Sequence, residues 1–185
     1  MLIEDKGPTG FTLSEAAKTA GVTPAAVYRH FSGREDLIAE AARQGYEIFA
    51  DVMQYAYDKH QPSALAALEA TGRAYLAFAR RYPGHYIAMF ESGISVNHSP
   101  ELAAVSARAR GVQERAAAEL SQHIPPGKRP PPTMVSAHIW ALSHGVVELF
   151  ARNSPGTQSP FPPEALLESG IGVYLRGLGL IPPDS

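Results

Sequence analysis

Residues 12–37, TLSEAAKTAGVTPAAVYRHFSGREDL, read as two short helices joined by a tight turn, with a third helix starting directly behind them. Ser14 is placed to cap the first segment, whose Ala16, Ala17 and Ala20 offer a small, close-packing face. Gly21 falls where the turn needs a left-handed residue, a conformation glycine takes without a Cβ penalty. Thr23 is then an N-cap, and Pro24 follows it at the first helical position, where a missing N–H leaves no bond unmade. The spacing Ala17, Gly21, Val27 is that of a helix-turn-helix: Ala17 allows close approach, Gly21 turns the chain, and Val27 packs back on the first helix.

A second helix crossing the first in this way is the part that can enter a DNA major groove. Its N-terminus points N–H groups outward past the small residues Thr23, Ala25 and Ala26. Tyr28, Arg29 and His30 come next, and all three can donate hydrogen bonds. The 17 residues from Lys18 to Arg34 hold three positive charges and no acid. Alanine and glycine alone would describe an ordinary helical hairpin in a core. The caps, the turn and the basic run together describe a DNA-binding head.

The run AGVTPAAVYRHFSGREDL (residues 20–37), with its tyrosine–x–histidine–phenylalanine at Tyr28–Phe31, resembles the DNA-binding signature of the TetR family of bacterial transcriptional regulators. The resemblance covers about the first 45 residues, with a weaker echo near Trp140. It implies that Thr23, Pro24, Ala25 and Ala26 meet base edges and backbone. Tyr28 then takes the family's phosphate-contacting position, and Arg29 and His30 take the adjoining base or backbone positions. Thr12 matches a phosphate-touching threonine. Arg34 stands where the family has a lysine, and its fork can hold a phosphate with two bonds. One departure is visible at the start. MLIEDKGPTGF resembles only the last turns of the family's first helix and its exit, so the basic arm and the start of that helix are expected to be missing. Residues 1–45 carry five basic and six acidic side chains.

The whole chain has 185 residues, 45% hydrophobic and 18% charged, which suits a globular protein with a sizeable core. At a net charge of −2, nucleic-acid binding must come from a local patch. With no cysteine, disulfides, thiol catalysis and thiolate-held zinc are excluded. No signal core is present and no run approaches membrane-spanning length, so a cytoplasmic protein is expected. Strand periodicity is absent. An all-α fold is expected, with helices at about 13–20, 24–31, 33–44, 45–59, 63–81, 84–92, 99–123, 133–151 and 163–179. PPGKRPPP (125–132) reads as an extended connector and NSPGTQSPFPP (153–163) as a loop. The division falls near Gly45, giving a DNA-binding domain over 1–45 and an effector-binding and dimerisation domain over 46–185. Without a Gly/Ser linker, the two should move as coupled bodies.

Tyr75, Phe78, Tyr82, Tyr86, Met89 and Phe90, with His138, Trp140, Ala141 and His144, supply more aromatic, histidine and methionine bulk than an alanine-rich bundle requires. Each residue alone reads as core. Together, with the family resemblance, they read as the lining of a cavity for a small, mostly apolar effector. Trp140, His144 and Gly145 are similar to the tryptophan–histidine–glycine segment that names one C-terminal subgroup of the family. Trp140 and His144 share a helix face, so their rings should meet. His138 and His144 lie about 120° apart around the helix, and His60, His85, His98 and His123 are scattered. No metal site or cofactor is expected.

The segments 133–151 and 163–179 are apolar on more than one face, and the second contains Gly170, Gly172 and Gly177. Simple packing within the chain explains this, and so does a four-helix bundle formed by two copies. The resemblance favours the homodimer, with recognition helices about 34–36 Å apart on a palindromic operator. No Gly-x-Ser-x-Gly, phosphate loop, His-Glu-x-x-His or Gly-x-Gly-x-x-Gly is present, and an enzyme is not expected. The expected function is a ligand-responsive repressor. The alternative is a dimeric small-molecule-binding protein without effective DNA binding.

Overall fold

The computed structural model describes residues 2–152 and 159–182. It is all-α. The helices are α1 (Leu2–Lys6), α2 (Leu13–Ala20), α3 (Pro24–Tyr28), α4 (Arg34–Lys59), α5 (Ala64–Arg81), α6 (Pro83–Phe90), α7 (Pro100–Leu120), α8 (Pro132–Val146) and α9 (Pro163–Gly177). Among the described residues there is no strand. Contacts divide the chain into two compact units, Met1–Phe49 with Arg81–Arg108 and Ala50–Arg80 with Ala109–Ser185. The division expected near Gly45 falls inside α4 and coincides with neither unit's boundary.

Several elements differ from expectation, each for a local reason. The segments expected at 33–44 and 45–59 are one helix, α4. Arg43 ties Glu40 at 2.7 Å and Glu47 at 2.5 Å across one turn on either side. Gly45 stays in the helix because a Cβ there would stand 2.7 Å from Met89 Sδ on α6, so the missing side chain lets two helices approach. Helix α3 stops at Tyr28, not residue 31, as His30 and Phe31 both donate to Val27 O at 3.0 Å and tighten the exit. Thr12, not Ser14, caps α2. The expected connector at 125–132 contains a 3-10 turn at Pro126–Lys128 and starts α8 at Pro132. A π-helical turn, Val147–Ala151, continues α8. Residues 153–158 of the expected loop lie outside the described residues.

In the first unit, Ile3, Phe11, Leu13, Ala17, Ile38, Ala42, Tyr46, Phe49 and Tyr86 are buried. Glu4 fixes α1 to the start of α6 by accepting the Gly84 N–H at 2.8 Å. His85 Nδ1 meets Ala41 O at 2.9 Å and joins α6 to α4. In the second unit, Leu68, Tyr75, Leu76, Phe78, Ile139, Leu167, Ile171 and Leu175 form the core. Gly72 lets α9 lie close on α5, since a Cβ there would be 3.2 Å from Ile171 Cδ1 and 3.3 Å from Leu167 Cδ2.

The glycines of α9 behave otherwise. A Cβ on Gly170 would only touch Leu142 at 3.8 Å, one on Gly172 would have the Arg176 guanidinium of its own helix as its nearest neighbour at 3.4 Å, and one on Gly177 would meet nothing within 4 Å. Among the described residues, close packing therefore does not account for Gly177. The stretch Pro132–Ala151, 20 residues, is also long and apolar enough by length and composition to cross a membrane, contrary to the sequence expectation. An 18-residue window within it has a mean hydropathy of 1.2, yet only 28% of that window is buried.

Candidate nucleic-acid interface and effector site

The helix-turn-helix is built by local hydrogen bonds. Thr12 and Glu15 form a reciprocal capping box, the threonine Oγ1 accepting the Glu15 N–H at 3.2 Å and Glu15 Oε2 accepting the Thr12 N–H at 2.9 Å. Glu15 also pairs with Lys6 at 2.7 Å. The Lys6 ammonium, then Thr12, holds the Glu15 carboxyl down at about 2. Gly21 turns the chain at φ 70°, and its N–H closes on Ala17 O and Lys18 O. Thr23 caps α3 by accepting the Ala26 N–H at 3.2 Å. Ala17 is fully buried, as the spacing required, whereas Val27 is only half-buried.

The expected DNA-facing side chains lie on this framework. Thr12, Thr23, Pro24, Ala25, Tyr28, Arg29 and His30 are exposed and Ala26 is half-buried. Tyr28 is 56% exposed, which is unusual for so large a side chain and leaves its hydroxyl accessible. Two residues are committed more heavily than the sequence indicated. The Thr12 hydroxyl also donates to Glu15 Oε2 at 3.2 Å, so it must rotate away before it can donate to a phosphate. Arg34, half-buried, donates through Nη1 to Thr9 O at 2.9 Å and Phe11 O at 3.5 Å, so part of its fork pins the approach to α2.

Sequence reasoning missed a relay at the exit of the turn. Asp36 accepts from the Ser32 hydroxyl and from the Ser32 N–H at 3.1 Å, and its other oxygen meets His98 Nε2 at 3.2 Å. The Ser32 hydroxyl, then its N–H, then His98 hold the Asp36 carboxyl below the usual range. Thr-x-x-Glu at 12–15 was a legible capping signal. Nothing local marks His98 as a partner 62 residues away.

The expected effector residues fall into three groups. Tyr75 gathers one: its ring meets Trp140 edge-on at 5.5 Å, and its hydroxyl meets His144 Nδ1 at 3.0 Å. Phe78 lies on the same helix and is buried. Tyr75 is thus a shared neighbour of the two residues expected to meet each other. The second group, Tyr82, Tyr86, Met89 and Phe90, belongs to the first unit, where Phe90 packs on Tyr86 at 4.8 Å and Tyr46 at 5.8 Å. His138 and Ala141 form the third. Both are exposed and line an open, mostly apolar groove of about 600 Å³ with Leu142, Gly170, Val173 and Tyr174. His138 Nδ1 meets the Tyr174 hydroxyl at 2.8 Å, and burial pushes that phenol up. Among the described residues no cluster could hold a metal ion.

Comparison with known proteins gives this geometry its context. Residues 1–41 match the model of bacterial regulatory proteins of the tetR family, and residues 68–174 match that of the tetracyclin repressor-like C-terminal domain. The chain belongs to the TetR family of DNA-binding transcriptional regulators, and it is a regulator rather than an enzyme. The C-terminal description names no tryptophan–histidine–glycine subgroup, so that narrower placement rests on Trp140, His144 and Gly145 alone.

Solved structures share the fold. PfmR, a TetR-family transcriptional regulator from Thermus thermophilus, superposes with a TM-score of 0.72 at 15% identity, covering 95% of this chain and 93% of its own. A tetR-family bacterial regulatory protein from Rhodococcus RHA1 gives 0.72 at 19% identity, with 96% and 90% covered. AibR, solved in complex with isovaleryl coenzyme A and operator DNA, gives 0.69 at 21% identity, with 93% and 91% covered. No curated protein matches the chain.

Proposed function

We propose that the chain is a ligand-responsive repressor that binds a palindromic operator as a homodimer and leaves it when a small, mostly apolar effector binds. The observation that carries this reading is the exposed surface of the turn and α3. Small residues open the helix, and Tyr28, Arg29 and His30 follow with their donors outward, on a scaffold whose own caps are already satisfied. A side chain that is not required to hold the turn together is available for phosphate and base edges. Residues 1–45 act as the DNA-binding head, and 46–185 take the effector and form the dimer.

AibR, similar in fold, is known in complex with an acyl coenzyme A and operator DNA, which supports a ligand-responsive role here. The Tyr75, Phe78, Trp140 and His144 group is the proposed effector contact in the second unit. It offers aromatic faces and one polar pair, the composition of a site for an apolar molecule that must be oriented. The apolar outward surface of α8 and α9 supports the homodimer through about 133–151 and 163–179. Met134 is 52%, Leu149 48% and Val173 62% exposed. Effector binding shifts the heads by preferring one of two states, and the operator prefers the other. The protein acts in the cytoplasm, where its operator is.

Selection from a random DNA duplex pool, followed by binding across a salt series, tests this. The expected result is a palindrome with half-sites about 34–36 Å apart and an affinity that falls steeply as salt rises. A flat salt response overturns operator binding. No enrichment transfers the reading to the dimeric ligand-binding protein.

A further inference from the structure

Helix α7 carries one polar side chain that its surroundings do not explain. Gln113 is 0% exposed, and no described residue offers a hydrogen-bond partner to its Oε1 or its Nε2. Three other buried polar side chains of the second unit are satisfied by their own helices. Thr71 donates to Leu68 O at 2.6 Å, Ser121 to Ala117 O at 2.8 Å and Ser143 to Ile139 O at 2.9 Å. A hydroxyl needs one carbonyl to do this. A glutamine amide presents two donors and an acceptor, and a single carbonyl of the preceding turn cannot satisfy them.

Along the same helix, Ala109, Val112, Ala116 and Ala117 are all buried and apolar. A methionine at 113 would keep the length and remove the unmet polar atoms, and burying such atoms without partners is unfavourable. A buried amide in this setting has a use when its partner is not part of the fold. Charge narrows the partner further. The buried polar residues described in the chain are Thr71, Ser106, Gln113, Ser121, Ser136 and Ser143, and none of them carries a charge. An ionised group brought beside Gln113 would lose water, and the neutral amide offers it a dipole but no opposite charge.

We infer that Gln113 is the polar recognition residue for the effector, and that the effector presents to it an uncharged hydrogen-bonding head, an amide, ester or alcohol, on an apolar body. This rests on the reading of the chain as a ligand-responsive regulator. The amide accepts from the head through Oε1 or donates to it through Nε2, and discriminates against a bare hydrocarbon because both atoms would stay unmet.

The test compares the full chain with Gln113→Met. Without ligand, the variant's thermal midpoint rises by about 2 °C or more, because the unmet amide is gone. A fall of several degrees means that the amide is held by a buried water network and overturns the inference. Octanamide, methyl octanoate, octanol, octanoate and octane are then titrated calorimetrically into both proteins. A neutral polar head should bind the full chain at least about tenfold more tightly than octane or octanoate, and that advantage should vanish in Gln113→Met. Equal binding to both proteins, a preference for octanoate, or no binding by any probe overturns it. Recovery of a palindromic operator by the full chain separates the two failures. With an operator in hand, only the role of Gln113 is lost, and without one the regulator reading falls as well.

Discussion

The α2–α3 turn and the α8–α9 pair are both exposed, yet they are built on opposite principles. In the turn, hydrogen bonds close within a few residues: Thr12 with Glu15, Gly21 with Ala17 and Lys18, Thr23 with Ala26. What remains on the surface is small or able to donate, apart from Val22, which is 46% exposed. In α8 and α9 the surface is apolar, with Val173 62% exposed and a glycine at 177 where an added Cβ would meet nothing within 4 Å among the described residues. A locally satisfied surface is ready for a polar, charged partner. An uncovered apolar one is stabilised when another apolar face covers it. Position along the chain says little about this difference, which lies in where each surface finds its hydrogen bonds and its contacts.

The comparison breaks most visibly inside α9. Leu167→Ala, at a residue 1% exposed, should cost about 2–5 kcal/mol in denaturant unfolding. Val173→Ala should stay within about 0.5 kcal/mol at protein concentrations where the chain is monomeric. Val173→Glu should shift the species seen in sedimentation from dimer to monomer. Equal costs for Leu167→Ala and Val173→Ala at low concentration would make the outer face ordinary core.

In the turn, Tyr28→Phe should weaken operator binding by about 1.5–3 kcal/mol per half-site while leaving the unfolding midpoint unchanged, since the side chain is exposed. A loss below about 0.5 kcal/mol would remove its phosphate contact. Thr12→Ala should lower stability by about 1 kcal/mol through the lost cap, read by thermal unfolding.

The smallest effect is on pH. The folded Glu15 carboxyl sits at about 2, below its ordinary 4.5, so its contribution is complete above about 4.5 and is lost as pH falls through about 2. The difference in midpoint between the native chain and Glu15→Gln should therefore be largest near pH 5 and close by pH 2. A constant difference over that range would mean that the ionised Lys6–Glu15 pair contributes nothing.

Much of the head was legible because its determinants are neighbours in sequence. Gly21, Thr23 and Pro24 each act on atoms within a few residues, and each takes the conformation its chemistry requires. Reading Ser14 as the cap failed by two positions, as the reciprocal Thr12–Glu15 pair satisfies two backbone groups where Ser14 offers one. The ligand residues were less legible. Tyr75 on α5 is brought to Trp140 and His144 on α8, whereas His138 lies on the same helix as those two and faces outward to Tyr174. Helical periodicity alone does not rank faces when the helix is apolar most of the way round.

The sequence by itself determined the helical fold, the turn and the chemistry of the surface that α3 presents, because caps, a positive-φ glycine and proline act over one or two turns. Only the tertiary structure decided which of two apolar faces of α9 is core, that Arg34 holds the carbonyls of Thr9 and Phe11, and that Gln113 is shut away from every described partner. These depend on contacts between residues far apart in the chain. A glutamine in a helix reads as solvated until the packing around it is known.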